Sequence, residues 1–263
     1  MTARESMVRL CVLYPDLLGT YGDGGNARVL SQRLAWRGLD VDLVTVAAGE
    51  RVPDSCDLYL VGGGEDGPQT QAARELAASG ALHRAVDAGA VVFAVCAGMQ
   101  ILGERFPDRN GVDQAGLGLL DCVTVRVDRP RAVGELLTHA AGLPAADGST
   151  TPLGTLTGFE NHGGRTVPGP SATVLGRVEV GEGNGDGSEG VVNGRVVGTY
   201  LHGPALARNP LLADALLCRA VGVDSLPELD DADVDALRHA RIDAARQHEL
   251  APRRSWRDRL RGS

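Results

Sequence analysis

The chain has 263 residues, 43% of them hydrophobic and 3% aromatic, and a formal charge of −8. That is enough apolar material for one sizeable core. No apolar run reaches the ~18 residues of a membrane span, and the acidic balance gives no support to nucleic-acid binding.

All 26 basic residues are arginine. With no lysine there is no P-loop for ATP phosphates and no Schiff-base chemistry, so any ATP-driven step is expected on another chain. The cysteines Cys11, Cys56, Cys96, Cys122 and Cys218 form no CxxC pair. This argues against a disulfide framework or a zinc site and for a reducing cytoplasm. Met1–Arg9 carries Glu5 and Ser6 and leads straight into a strand, unlike a signal peptide.

Val8–Tyr14 is the first predicted strand. A loop rich in Gly and Asp follows to Asn26, then a helix over 27–37 with Gly38 as C-cap. Strands are predicted at Val41–Val46 and Cys56–Val61, the latter running into Gly62-Gly63-Gly64-Glu65-Asp66-Gly67, with helices filling 70–88. The apolar run Ala90–Val95 reads as a buried strand of a parallel sheet. Cys96 sits where that strand turns sharply into the helix of Met99-Gln100-Ile101-Leu102. The small residues Ala94, Ala97 and Gly98 permit the tight backbone of a nucleophile elbow. Alternation of this kind predicts an α/β fold with a mostly parallel central sheet flanked by helices. In such sheets ligands bind at the C-terminal strand ends, where Gly62–Gly64 and Cys96 both lie.

From Gly116 the texture changes to short strands, expected over 116–125, 133–137, 154–160, 173–180, 190–192 and 195–200. The run Gly181–Gly187 reads as a solvated, mobile loop tip rather than a calcium site. A helix over 210–221 follows. Beyond Gly222 the chain reads as an appendage: an amphipathic helix over 230–250, with sparse apolar positions Val234, Leu237 and Ile242, and a basic tail containing Trp256.

Three parts fit a cysteine hydrolase of amides. A helix N-terminus favours the thiolate of Cys96, although a buried structural cysteine would also fit this segment. His202, at a strand end and followed by Gly-Pro, is placed to act as base, with His162 as a rival. Gly62–Gly64 offers backbone N–H groups for an oxyanion hole, with Gly63 working beside Ala97. A cysteine protease would share these parts.

The glycine triplet, the cysteine elbow and the late histidine resemble class I triad glutamine amidotransferases. The likeness narrows to the cobyric-acid-synthase-like glutaminases, and within them to the glutaminase subunits of lipid II isoglutaminyl synthases. It rests on Tyr14-Pro15-Asp16-Leu17-Leu18, Tyr21-Gly22-Asp23-Gly24-Gly25-Asn26, Gly62-Gly63-Gly64-Glu65-Asp66, Cys96-Ala97-Gly98-Met99-Gln100 and Gly116-Leu117-Gly118-Leu119-Leu120-Asp121. The most specific strings are Phe159-Glu160-Asn161-His162-Gly163-Gly164-Arg165-Thr166 and Thr199-Tyr200-Leu201-His202-Gly203-Pro204.

The resemblance implies an amidotransferase domain over residues 1–222, with a helix and tail over 223–263. It implies L-glutamine as substrate and ammonia delivered within a heterodimer to a MurT-like Mur ligase. That partner, carrying ATP and Mg, would amidate the D-glutamate α-carboxyl of lipid II in peptidoglycan synthesis. No cofactor or metal is expected on this chain. Many triad amidotransferases carry a Glu two residues after the histidine; Pro204 stands there instead. Either a Cys–His dyad operates or an acid comes from elsewhere, Asp23 being the candidate, with helix capping as its alternative role. Arg131 matches a family arginine that binds glutamine, Arg126 and Arg129 being close rivals. Gly64 and Gln100 are candidates for the substrate pocket. The C-terminal helix is a candidate docking element for the partner. Alternatives are a related amidotransferase subunit with another carboxylate acceptor, and a non-catalytic regulatory scaffold.

Overall fold

The computed structural model describes residues 7–19, 22–144 and 150–250. Thr20 and Tyr21 of the first loop and the basic tail with Trp256 lie outside the described residues. The first half of the chain runs β1 (Val8–Leu13), α1 (Gly25–Ala35), β2 (Val41–Val46), β3 (Leu58–Val61), α2 (Asp66–Ser79), α3 (Ala81–Asp87), β4 (Val91–Val95) and α4 (Ala97–Leu102). Strands β5 (Arg105–Pro107), β6 (Asp113–Ala115), β7 (Cys122–Arg126), β8 (Ala132–Ala140), β9 (Leu143–Pro144) and β10 (Thr150–Thr151) follow. The remainder is β11 (Gly154–His162), β12 (Gly164–Pro168), β13 (Gly176–Val180), β14 (Ser188–Glu189), β15 (Val191–Asn193), β16 (Val196–Thr199), α5 (Ala205–Arg208), α6 (Pro210–Val221) and α7 (Ala232–Leu250).

The main sheet has the order β15-β16-β4-β3-β1-β2, parallel except for the β15–β16 hairpin. Its central strands β3, β4 and β16 are buried along their whole length. Their unbroken apolar runs follow from cover on both faces. At the edge, β2 alternates and leaves Leu43 exposed. Two further four-stranded sheets, β11-β8-β13-β14 and β12-β7-β5-β6, gather most of the short strands.

Element type was largely predictable and element ends were not. Regular α1 stops at Ala35, two residues early, and Gly38 takes the left-handed turn (φ +71°) that ends it. The strand expected from Gly116 begins only at Cys122. Residues 117–120 turn back, with the N–H groups of Leu117, Gly118 and Leu120 donating to the carbonyls of Ile101, Gly103 and Leu102 at the end of α4.

Two expectations are corrected. The 181–187 loop is solvated only in part: Gly181, Glu182, Asp186 and Gly187 are exposed, but its middle turns inward. Asn184 is fully buried, and the N–H groups of Glu182 and Gly183 donate to the buried Glu160 carboxylate at 2.7 and 2.9 Å. In α7, Leu237 points outward, and Ile242 and Ala245 make the buried contact, over Leu137 of β8. Arg246 pairs with Glu179 of β13, and Arg238 donates to the Thr155 carbonyl, so α7 lies on the β11-β8-β13 face. No described helix is long and apolar enough to cross a membrane.

Candidate active site

The β4–α4 junction holds Cys96 at φ +51°, ψ −107°, one of two described non-glycine residues with positive φ. Such backbone costs on the order of 1–3 kcal/mol and persists only where its surroundings enforce it. Here the Cys96 N–H donates to Thr199 O (2.8 Å) and its carbonyl accepts from Gln100 N–H (3.0 Å). A side chain on Gly98 would run into the Val61 and Gly62 carbonyls, which explains the small residue after the turn.

His202 leaves the end of β16 and is anchored by a reciprocal backbone pair with Phe159 of β11 (2.8 and 3.1 Å). Its Nδ1–H donates to the Asp23 carboxylate, 3.1 Å from Oδ2 and 3.3 Å from Oδ1. Cys96 lies close enough to the ring to favour its charged form. Both His202 and Asp23 are buried. Burial works against a charged ring, but the Asp23 and Cys96 side chains overcome it and push the imidazole up to about 10. The carboxylate against His202 is therefore that of Asp23, in the loop before α1, and position 204 offers none. Pro204 instead packs against Gly25 at the start of α1.

The glycine triplet has a different reason from the one its sequence suggests. Gly62 and Gly64 are bare because the carbonyls of Leu18 and Leu17, in the β1–α1 loop, occupy the space a side chain would need. The N–H of Gly63 donates to Asp23 Oδ2 at 2.9 Å. It is therefore not available to an oxyanion, which corrects the role expected for Gly63. Ala97 opens α4, so its N–H has no acceptor within that helix, and Gly64 lies beside it along the same cleft.

A Cβ on Gly63 would stand 2.7 Å from His202 Cε1, 3.1 Å from Asp23 Oδ2 and 3.5 Å from Cys96 Cβ. Gly63→Ala is therefore expected to lower hydrolytic kcat by on the order of 10²-fold, through a displacement of the histidine by a fraction of an ångström. Full kcat in that variant would show that the three side chains do not act together.

Cys96 opens onto a cleft of about 240 Å3 lined also by Gly64, Gln100, Arg131 and His162. The rival cations are otherwise engaged: Arg129 pairs with Glu182 at 2.8 Å, and Arg126 donates to the Arg109 carbonyl. Arg131 lies nearest the sulfur in bonding terms. It donates to Asn161, whose carbonyl is 4.0 Å from Cys96 Sγ. The Gln100 amide accepts from Gln69 (2.8 Å) and donates to Tyr200 OH (3.1 Å), so it forms wall. The rival base His162 is turned to Glu160 (3.1 Å) and the Gly164 carbonyl (3.0 Å) and stacks on Tyr200.

Sequence reasoning missed Glu160, Asn161 and Glu189. The first two stood inside a quoted motif without a role. Glu189, in an acidic Gly-rich run, is fully buried beneath the site. It accepts from Thr199 Oγ1, Tyr200 N–H (2.9 Å) and Gly190 N–H (2.6 Å), and burial raises its carboxyl despite those donors.

A cysteine elbow, a histidine and a buried carboxylate at the C-terminal edge of a parallel sheet narrow the field, and comparison with known proteins settles the family. Residues 9–210 match the model of the CobB/CobQ-like glutamine amidotransferase domain. The chain belongs to that family. Among its relatives, the GatD subunit of lipid II isoglutaminyl synthase (glutamine-hydrolyzing) from Staphylococcus aureus is 34% identical over 243 residues, covering 89% of this chain and 94% of that one. The Streptococcus pneumoniae subunit of the same name is 32% identical, covering 80% of this chain and 78% of that one. A crystal structure of a glutamine amidotransferase superposes with a TM-score of 0.55 at 22% identity, covering 81% of this chain and 98% of that one, which supports the fold alone. This CobB/CobQ-like domain accordingly carries the glutamine amidotransferase fold and activity.

Proposed function

We propose that this chain is the glutamine-hydrolysing subunit of a two-chain lipid II isoglutaminyl synthase, working in the cytoplasm with a MurT-like Mur ligase. The observation that carries the hydrolytic half is the Asp23–His202–Cys96 line along a cleft that also holds Arg131. Support for the partner comes from near end-to-end similarity to subunits of that name and from the absence of a P-loop lysine here.

In this reading the Arg131 guanidinium takes the α-carboxylate of L-glutamine. The Cys96 thiolate attacks the side-chain amide carbon, and the N–H groups of Gly64 and Ala97 hold the developing oxyanion. His202 gives its proton to the amide nitrogen as the C–N bond breaks, releasing ammonia and leaving a glutamyl thioester. Water then attacks the thioester, His202 takes its proton, and glutamate departs as the Cys96 thiolate re-forms. Asp23 keeps the ring oriented throughout. The partner, with ATP and Mg, activates the D-glutamate α-carboxyl of lipid II, and ammonia converts it to D-isoglutamine.

Reconstitution tests the assignment. The chain, co-expressed with a MurT-like ligase and given ATP, Mg, glutamine and lipid II, is expected to amidate lipid II and to release ammonia faster than alone. Ammonia release without amidation would move the acceptor to another carboxylate. No release in either state would favour a regulatory scaffold.

A further inference from the structure

One residue touches both ends of the proposed substrate site. The Asn161 carbonyl faces Cys96 Sγ at 4.0 Å and accepts from Arg131 Nη2 at 3.1 Å, while Asn161 Oδ1 accepts from Arg131 Nε at 3.1 Å. Its neighbours are held in place. Glu160 and His162 are each 2% exposed. Glu160 gathers the Glu182 and Gly183 N–H groups together with His162 Nε2. The His162 ring stacks on Tyr200 at 3.7 Å, and Tyr200 OH is tied to Gln100 of the elbow helix. Strand β11 pairs with β8 as far as His162–Ala132, one residue short of Arg131. Asn161 therefore has little freedom relative to the sulfur or the guanidinium.

We propose that Asn161 is a positioning residue that sets the span between Cys96 and Arg131 and so makes the site read substrate length, favouring glutamine over asparagine. This rests on the glutaminase reading above. Asparagine is one methylene shorter. Anchored by its carboxylate on a guanidinium that is doubly held by Asn161, it leaves its amide carbon short of the sulfur by roughly 1 Å, a misplacement that costs on the order of 10²-fold. Without the Asn161 side chain, Arg131 keeps only the carbonyl contact and can follow a shorter ligand.

Steady-state ammonia release from L-glutamine and L-asparagine tests this in the full chain. Asn161→Ala is expected to raise KM for glutamine by about 10-fold, to leave kcat within about 3-fold, and to cut the glutamine-over-asparagine ratio by about 10-fold. Asn161→Asp keeps an oxygen for Arg131 Nε and is expected to hold the ratio within about 3-fold of wild type. In an Arg131→Ala background, Asn161→Ala should add less than about 2-fold, because the two act through one contact. Alkylation of Cys96 by iodoacetamide reports site integrity separately: the Asn161→Ala site should react at the wild-type rate but need more glutamine for protection. An unchanged ratio in Asn161→Ala, or effects that multiply in the double variant, overturns the role of Asn161 alone. A wild-type chain that neither releases ammonia from glutamine nor is shielded by it overturns the glutaminase reading, and this role with it.

Discussion

Replacing Cys96 with alanine is expected to abolish ammonia release from glutamine, a loss on the order of 10⁶-fold when a nucleophile that acts as a unit with its base is removed. Among the described residues it is the only cysteine that lines the cleft. The Cys56 side chain and burial raise the thiol of Cys11, burial raises those of Cys122 and Cys218, and Cys56 lies two residues before β3, at the end of the sheet away from the site. No other sulfur can stand in. The variant keeps its Cβ and the backbone contacts to Thr199 and Gln100, so stability should shift by less than about 1 kcal/mol. Glutamine binding through Arg131 should survive, which calorimetry can measure while a coupled assay follows ammonia. Normal hydrolysis in Cys96→Ala would unseat the nucleophile.

The parallel half of the molecule was readable because periodicity reports burial on each face. An unbroken run such as Val91–Val95 has few homes other than a covered central strand, and a cysteine after it flanked by small residues has few shapes other than an elbow. What failed to read depended on partners far along the chain. Composition made 181–187 a solvated tip, but the Glu160 carboxylate, 22 residues before Glu182, draws its amides inward. The glycine triplet looked like a set of oxyanion donors, yet close approach of the Leu17–Leu18 backbone explains Gly62 and Gly64, and Asp23 claims the Gly63 amide. Asp23 itself was only a candidate because 179 positions separate it from His202, and no local pattern encodes that contact. In α7 the side facing the protein is carried partly by Ala245, whose small apolar side chain gives little periodic signal.

Asp23→Asn should lower hydrolytic kcat on the order of 10²–10⁴-fold, the range by which a positioned acid–base group contributes. The substitution is nearly isosteric, and its amide oxygen can still accept the Gly63 N–H, so the loop should hold its place. The change falls on the ring. In the wild type, burial disfavours the imidazolium and the Asp23 and Cys96 side chains outweigh it, holding His202 near 10. That value lies above the unfolded 6.5, so the stability this charge contributes is complete below about 6.5 and is lost as pH rises through about 10. Without the carboxylate, burial pulls the ring down and the proton leaves at lower pH. The alkaline limb of kcat should therefore move to lower pH. The stability gap between variant and wild type should be present at neutral pH and close as the wild-type ring itself deprotonates near 10. Titration of the ring by NMR, alongside kcat against pH, separates these effects. An unmoved alkaline limb would reduce Asp23 to an anchor for the Gly63 amide and leave a Cys–His dyad. A moved limb with the full loss of kcat would make Asp23 the third member of the triad. Cysteine, histidine and carboxylate would then all come from this one chain, and glutamine hydrolysis at a basal rate should not require the ligase partner.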